Sequence, residues 1–161
     1  MRMSDQPSVT VETTIKVDAQ RVYELMSDLD AMASHGTEFQ GGRWNSGRPG
    51  AVGSTFVGRQ RVGEREWETT STVVTADPGR EFSWQVGDPD NLTATWTVKM
   101  RSVPEGTEVR YSFVHGPGPS GLRERIEEQP HDEEKFIDAR LSTLQQNMIK
   151  TLEGIRRRTA R

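Results

Sequence analysis

Apolar and polar residues alternate along the central part of the chain. Between residues 80 and 100, Phe82 and Trp84 alternate with polar residues, and after a turn Trp96 and Val98 do the same. Alternation with a period of two places every second side chain on one face of a β-strand, so the large apolar side chains of this hairpin share a face. The pattern predicts five consecutive antiparallel strands, at about 52–61, 65–76, 80–87, 91–103 and 107–115.

The N-terminal part of the chain changes period twice. Residues 8–17 alternate as a strand does, and residues 18–32 then show the three-to-four-residue spacing of helices, with Asp18 placed to cap the first one. A short strand is predicted around Trp44, before a glycine-rich turn. The predicted order is therefore a strand, short helices, a series of strands and a final helix.

The final helix is the longest predicted element, at about 132–158. Acidic residues open it and three arginines, residues 156–158, close it, as the helix dipole favours. At about 1.5 Å per residue it is roughly 40 Å long, and its single apolar stripe requires an equally long apolar surface, which the predicted strands provide. The stripe consists of Ile137, Leu141, Leu144, Met148, Leu152 and Ile155.

Several segments carry a resemblance to a known family. They are IKVDAQRVYELMSDLD (15–30), GRPGAVGSTFVGRQRVG (47–63), WETTSTVV (67–74) and RLSTLQQNMIKTLEGI (140–155). Over nearly its whole length the chain resembles the START/birch-pollen-allergen (SRPBCC) superfamily, and within it the polyketide cyclase/dehydrase-like group. The resemblance implies an α+β helix-grip fold, in which a curved antiparallel sheet wraps around a long C-terminal helix and two short helices follow the first strand. It also implies an internal apolar cavity for a small lipid-like or polyketide-like ligand.

Composition and charge narrow the classes of function. A length of 161 residues indicates one domain, 1–161, for which we expect flexible ends at 1–7 and 159–161. A formal net charge of −3 gives no general attraction to nucleic acid, and the absence of cysteine excludes disulfides and thiolate zinc sites. The sequence has no apolar signal segment and no apolar run of about 20 residues. We therefore expect a cytoplasmic protein without membrane insertion, and the oligomeric state stays open.

The candidate ligand-binding residues lie on the predicted inner face of the sheet and on the helix stripe. Large rigid aromatic side chains suit a cavity wall, although the same face has an alternative interpretation as ordinary core. Arg140 flanks the stripe, where a guanidinium can orient a ligand carbonyl or carboxylate, and the alternative is a surface arginine paired with a carboxylate. The candidates are Trp67, Trp84, Trp96, Tyr111, Phe113, His115, Arg140, Leu144 and Met148.

Catalytic motifs are scarce. Tyr111 and His115 form a candidate acid–base pair for a β-keto or phenolic substrate, whereas His35 is placed to end a short helix. Residues 116–121, GPGPSG, match the G-x-G-x-x-G pattern of phosphate-binding loops. Two of them are prolines, which lack the backbone N–H donors that bind a phosphate, so we reject this motif. We interpret them as a linker over the pocket, with a gate as one alternative role.

Two functions fit this sequence best. The first is binding or carrying a small hydrophobic molecule, and the second is acid–base catalysis of the polyketide cyclase/dehydrase type. Regulation of a protein partner through the outer surface is a third. We predict no metal and no other cofactor for any of these functions. An enzyme needs at least two ionisable groups that converge in the pocket, and the candidates are Tyr111, His115 and Arg140.

Overall fold

Seven strands form one curved sheet in the computed structural model, which describes residues 1–160. The strands are β1 (Ser8–Ile15), β2 (Phe39–Ser46), β3 (Thr55–Val62), β4 (Arg65–Asp77), β5 (Glu81–Asp88), β6 (Asn91–Val103) and β7 (Gly106–His115). Neighbouring strands are antiparallel throughout, in the spatial order β1-β7-β6-β5-β4-β3-β2. The chain therefore runs as a meander from β2 to β7, and β1 pairs with the last strand.

Four α-helices accompany the sheet in the described part of the chain. They are α1 (Ala19–Met26), α2 (Leu29–His35), α3 (Gly121–Glu128) and α4 (Glu133–Thr159). The predicted helix-grip fold is confirmed, with two short helices after β1 and an unbroken C-terminal helix. Asp18 caps α1 as predicted, since its carboxylate accepts a hydrogen bond from the Arg21 N–H at 2.8 Å. Asp28 caps α2 in the same way through the Ala31 N–H at 2.9 Å.

The apolar stripe of α4 faces the sheet. Leu144, Met148, Leu152 and Ile155 are buried in one cluster with residues of β1, β5, β6 and β7 and of both short helices. Ile137 is buried in a smaller cluster with residues of α3 and the N-terminus, and Leu141 is partly buried between the two clusters. The predicted stripe therefore faces the protein interior, which is the sheet for its last four residues and α3 with the N-terminus for Ile137.

Part of the segment 1–7, for which we expect flexibility, packs against α3 and α4. Met3 begins a 3₁₀ helix (Met3–Asp5), is buried against Ile126 and Ile137, and donates its N–H to the Glu133 carboxylate at 2.8 Å. The reason is that α3 and the first turn of α4 leave an apolar surface that Met3 covers. At the other predicted flexible end, 159–161, α4 continues to Thr159, and Arg161 lies outside the described residues.

Residues 116–120 lie against the start of β6. Gly116 N–H bonds to the Thr93 carbonyl at 2.8 Å, and Gly118 N–H bonds to the Leu92 carbonyl at 2.6 Å. A Cβ on Gly118 would lie 2.1 Å from the Asn91 carbonyl, so only glycine permits this approach. The linker is thus fixed to the sheet, which gives no support to the gate role. The following helix α3, which the sequence did not predict, begins at once with Ser120 as its cap.

No helix within residues 1–160 has the length and apolar character that crossing a membrane requires.

Candidate functional site

A cavity of about 130 Å³ lies between α4 and the inner face of the sheet. Its other sides are formed by the end of α1, by α2 and by the segment that leads from α2 into β2. The curvature of the sheet produces it, because the helix contacts the strands closely only along part of its length. The residues that border the cavity are Met26, Ser27, Leu29, Met32, Gly36, Thr37, Glu38, Phe39, Phe56, Gln60, Thr69, Ser71, Phe82, Trp84, Val86, Trp96, Tyr111, Leu144, Asn147, Met148 and Thr151.

Five of the nine predicted residues border this cavity. Trp84 and Trp96 are cross-strand neighbours whose rings stack with centroids 6.0 Å apart and an interplanar angle of 11°. Tyr111 continues this surface, 5.4 Å from Trp96 between ring centroids. Leu144 and Met148 contribute the opposite wall from α4. The cavity therefore has a rigid aromatic wall facing a flexible aliphatic one.

Three of the other predicted residues are on the inner face but do not border the cavity. Trp67 shares its face with Thr69, which does border it, yet Trp67 lies nearer the β3–β4 turn and the Arg65 guanidinium sits 5.4 Å above its ring. Phe113 is buried and packs edge-on against Trp96, with ring centroids 4.9 Å apart. Alternation along a strand identified the face correctly but not the position of each residue along it.

The third of them, His115, is held by the linker after β7. Its Nδ1–H donates to the Gly116 carbonyl at 2.7 Å, which leaves Nε2 to accept from the Ser120 hydroxyl at 2.8 Å. Ser120 Oγ in turn accepts from the Arg123 N–H at 3.0 Å, which caps α3. Burial lowers the pKa of His115, and Arg123 and Arg140 act in the same direction. Both imidazole nitrogens are therefore paired, one with the linker and the other with the residue that caps α3.

Arg140 is bound to a carboxylate that the sequence did not reveal. Its two terminal nitrogens donate to the two oxygens of Glu38 at 2.6 and 2.7 Å. Asn147, which also lies on α4, donates a third hydrogen bond through its side-chain amide to Glu38 Oε2 at 3.0 Å. Glu38 and Asn147 border the cavity, whereas Arg140 lies behind Glu38. The guanidinium therefore pairs with a carboxylate of the cavity wall and does not itself border the cavity.

Polar atoms without a protein partner face the cavity from the sheet. Within residues 1–160, neither the Tyr111 hydroxyl nor the Ser71 hydroxyl makes a hydrogen bond, and neither is sealed from the cavity. Thr69 lies near Ser71 on β4 and Gln60 lies on β3, whereas Tyr111 lies on β7, three strands from β4 in the sheet. Burial raises the pKa of Tyr111 far above its usual range, so this hydroxyl stays protonated and able to donate. The cavity thus combines apolar walls with a few unpaired polar groups.

His35, predicted to end a short helix, is the last residue of α2. Its carbonyl accepts from the Thr151 hydroxyl at 3.3 Å, and its ring rests on Gly154 of α4. The Nε2 atom is buried without a hydrogen-bond partner in the described part of the chain. Burial lowers the pKa of His35, and the Arg158 and Arg157 guanidinium groups lower it further. This contact fixes α2, and with it the Gly36–Phe39 side of the cavity.

Comparison with known proteins gives one family and several similar folds. The model of the family described as polyketide cyclase / dehydrase and lipid transport matches residues 6–148. No curated protein matches the chain. The Polyketide_cyc-like protein Cgl2372 from Corynebacterium glutamicum is 27% identical, with a TM-score of 0.69 over 94% of this chain and 90% of that chain.

Two further solved structures share the fold at lower identity. The di-domain ARO/CYC StfQ from the steffimycin biosynthetic pathway is 15% identical, with a TM-score of 0.74 over 95% of this chain and 50% of that chain. Major latex-like protein 151 from Panax ginseng is 13% identical, with a TM-score of 0.67 over 96% of this chain and 97% of that chain. At these identities the likeness extends to the fold alone.

Proposed function

The chain belongs to the polyketide cyclase / dehydrase and lipid transport family, and from this we propose that it binds a small hydrophobic molecule in the cavity between α4 and the sheet. One observation carries the proposal: stacked Trp84 and Trp96 form a cavity wall next to the unpaired hydroxyl of Tyr111. Ordinary core packing leaves neither an open volume nor an unpaired hydroxyl, since each lowers stability. A bound ligand would fill the volume and pair with the hydroxyl.

The volume limits the buried part of the ligand to about one ring. The cavity measures about 130 Å³, and an apolar cavity of about 150 Å³ is known to hold benzene. A single substituted aromatic ring, or an aliphatic group of equal size, fits the space as it stands. The flat indole surfaces of Trp84 and Trp96 favour an aromatic ring, because offset stacking adds to the area that is buried.

The unpaired polar groups define the chemistry of the ligand. Hydroxyl groups both donate and accept, so Tyr111 and Ser71 can pair with a ligand hydroxyl or carbonyl. A pure hydrocarbon would displace water from these hydroxyls without forming a hydrogen bond to them, which makes its binding free energy less favourable. We therefore expect a phenol or a small ketone to bind more tightly than a hydrocarbon of the same shape.

Catalysis is the second candidate function. Of the three ionisable candidates, only Tyr111 borders the cavity, because His115 anchors α3 and Arg140 is bound to Glu38. This favours binding over acid–base chemistry. One observation favours catalysis: the carboxylate of Glu38 borders the same cavity. If the protein is an enzyme, Tyr111→Phe and Glu38→Gln should each abolish the dehydration of a β-hydroxy ketone.

The binding proposal is tested by calorimetric titration with p-cresol and with toluene, which differ by one hydroxyl. The wild-type protein should bind both and prefer p-cresol. Tyr111→Phe should lower the affinity for p-cresol about fivefold, the value of one neutral hydrogen bond, and leave the affinity for toluene unchanged. Ile149→Ala, on the exposed side of α4, serves as the control variant. Absence of binding for both compounds would contradict the proposal.

A further inference from the structure

A second and larger hollow opens on the surface beside the cavity. This outer cleft, of about 790 Å³, lies between α1, the start of α2 and the loop that joins β2 to β3. Tyr23 and Glu24 form one side, Trp44 lies on β2, and Val52 stands on the loop with 63% of its surface exposed. An exposed valine at the rim adds apolar surface to a cleft that is otherwise open to water.

The outer cleft and the inner cavity share two residues. Ser27 and Leu29, on either side of the α2 cap Asp28, border both of them. The backbone of this junction is held in place, since the Ser27 hydroxyl donates to the Tyr23 carbonyl at 2.7 Å and Asp28 caps α2. The junction is therefore part of the wall of both volumes.

The Leu29 side chain is the movable part of that junction. It is only half-buried, and it is absent from the main apolar cluster that includes its neighbours Met26, Ala31 and Met32. A leucine outside the packed core changes rotamer quickly, because no close packing holds it. The Leu29 side chain can therefore change rotamer without unfolding α2.

Aromatic rings run from one volume into the other. Trp44 borders the outer cleft and contacts Phe56 edge-on, with centroids 5.3 Å apart. Phe56 borders the inner cavity and lies 6.5 Å from Trp84. A ligand that extends from the inner cavity to the cleft therefore meets a continuous apolar wall.

We infer that the two volumes form one binding site for an elongated molecule, with Leu29 as its gate. This inference rests on the proposed function: the ring-sized end occupies the inner cavity, and a flexible apolar tail lies in the outer cleft against Trp44. The walls of the cleft carry three carboxylates, Glu24, Asp28 and Asp30, and one guanidinium, Arg48; a second guanidinium, Arg21, pairs with Glu24 at 3.3 Å, so the balance stays negative. The tail that fits is thus not anionic, because a terminal carboxylate would meet a negative field.

A series of 4-alkylphenols tests the outer part of the site. Burying one methylene raises affinity roughly fourfold, so five further methylenes that realise half of this gain make 4-hexylphenol bind about 30-fold more tightly than p-cresol. Trp44→Ala should reduce this ratio to below about fivefold, and Ile149→Ala should leave it unchanged. A terminal carboxylate on the hexyl tail should remove the gain.

The gate is tested by stopped-flow association of p-cresol, followed by tryptophan emission. Leu29→Trp should slow association about tenfold, Leu29→Ala should accelerate it, and Ile149→Trp should do neither. An unchanged rate in Leu29→Trp would overturn the gate, and an affinity independent of tail length would overturn the outer subsite. If wild-type protein binds no p-cresol, the proposed function itself fails, so the two failures are distinguishable.

Discussion

The ion pair between Glu38 and Arg140 should contribute measurably to the stability of the fold. It joins the segment before β2 to α4, over a separation of 102 residues, through two hydrogen bonds of 2.6 and 2.7 Å. A double-mutant cycle isolates the pair, with Arg140→Met keeping the aliphatic stem and Glu38→Gln keeping the shape of the carboxylate. The free energy of unfolding of the two single variants, the double variant and the wild type gives the coupling energy.

The expected size of the coupling follows from exposure. Fully exposed ion pairs contribute about 0–1 kcal/mol, and removing one partner of a fully buried pair costs about 3–5 kcal/mol. The Glu38 side chain is 14% exposed and the Arg140 side chain 31%, so the pair lies between these limits. Its bidentate geometry and the third hydrogen bond from Asn147 favour the upper half. We expect a coupling energy of about 2 kcal/mol.

Urea unfolding at neutral pH and low salt measures these free energies. The pair formed by Glu12 and Arg110 is the matched control, because its atoms lie 3.2 Å apart while its side chains are 58% and 61% exposed. Its cycle should give a coupling below about 1 kcal/mol that falls further in 1 M salt. A coupling below about 0.5 kcal/mol for Glu38 and Arg140 would refute our assignment of this pair as a structural link.

Two further predictions concern the helix interface and acid stability. Met148 is 2% exposed, whereas Ile149 is 47% exposed. Met148→Asp should therefore destabilise the fold by about 3 kcal/mol or more in thermal unfolding, and Ile149→Asp by less than about 0.5 kcal/mol. Equal melting temperatures of the two variants would contradict the orientation of α4 against the sheet. Burial lowers the pKa of His115 and of His35 in the folded state, so the unfolded chain, with a His pKa of about 6.5, binds protons first as the pH falls. Stability should therefore decrease from pH 7 toward pH 5, and His115→Gln should reduce this slope in urea titrations at several pH values; an unchanged slope would count against the burial of a neutral imidazole.

Most of the fold was predictable because its elements carry long, regular patterns. The predicted strand at 91–103 and the predicted helix at 132–158 agree with β6 and α4 to within a residue at each end. The family resemblance is also confirmed, since the family model matches residues 6–148. The helix α3 was not predicted, because Leu122 and Ile126 are only two apolar positions in eight residues. Two positions cannot establish a period.

The candidate site was predictable as a face but not as a volume. Alternation placed Trp84, Trp96 and Tyr111 on the inner side correctly, and they border the cavity. Alternation placed Trp67 and Phe113 on the same side, but neither of them borders the cavity, and Phe113 packs against Trp96 instead. What separates the two groups is where the sheet curves away from α4. That curvature depends on strand lengths, twist and bulges summed over the whole sheet, and no local pattern encodes the sum.

Glu38 shows most clearly why the polar part of the site needed the structure. Helical spacing places Arg140 and Asn147 on one side of α4, seven residues apart, but it does not identify the residue that they contact. The answer comes from the loop after α2, whose position depends on His35 resting on Gly154. With Glu38 in place, the guanidinium proposed for a ligand is already neutralised. The polar groups on the sheet side of the cavity are all neutral, and this supports our proposal of a neutral, oxygen-bearing ligand rather than an acid. They belong to Gln60, Thr69, Ser71 and Tyr111.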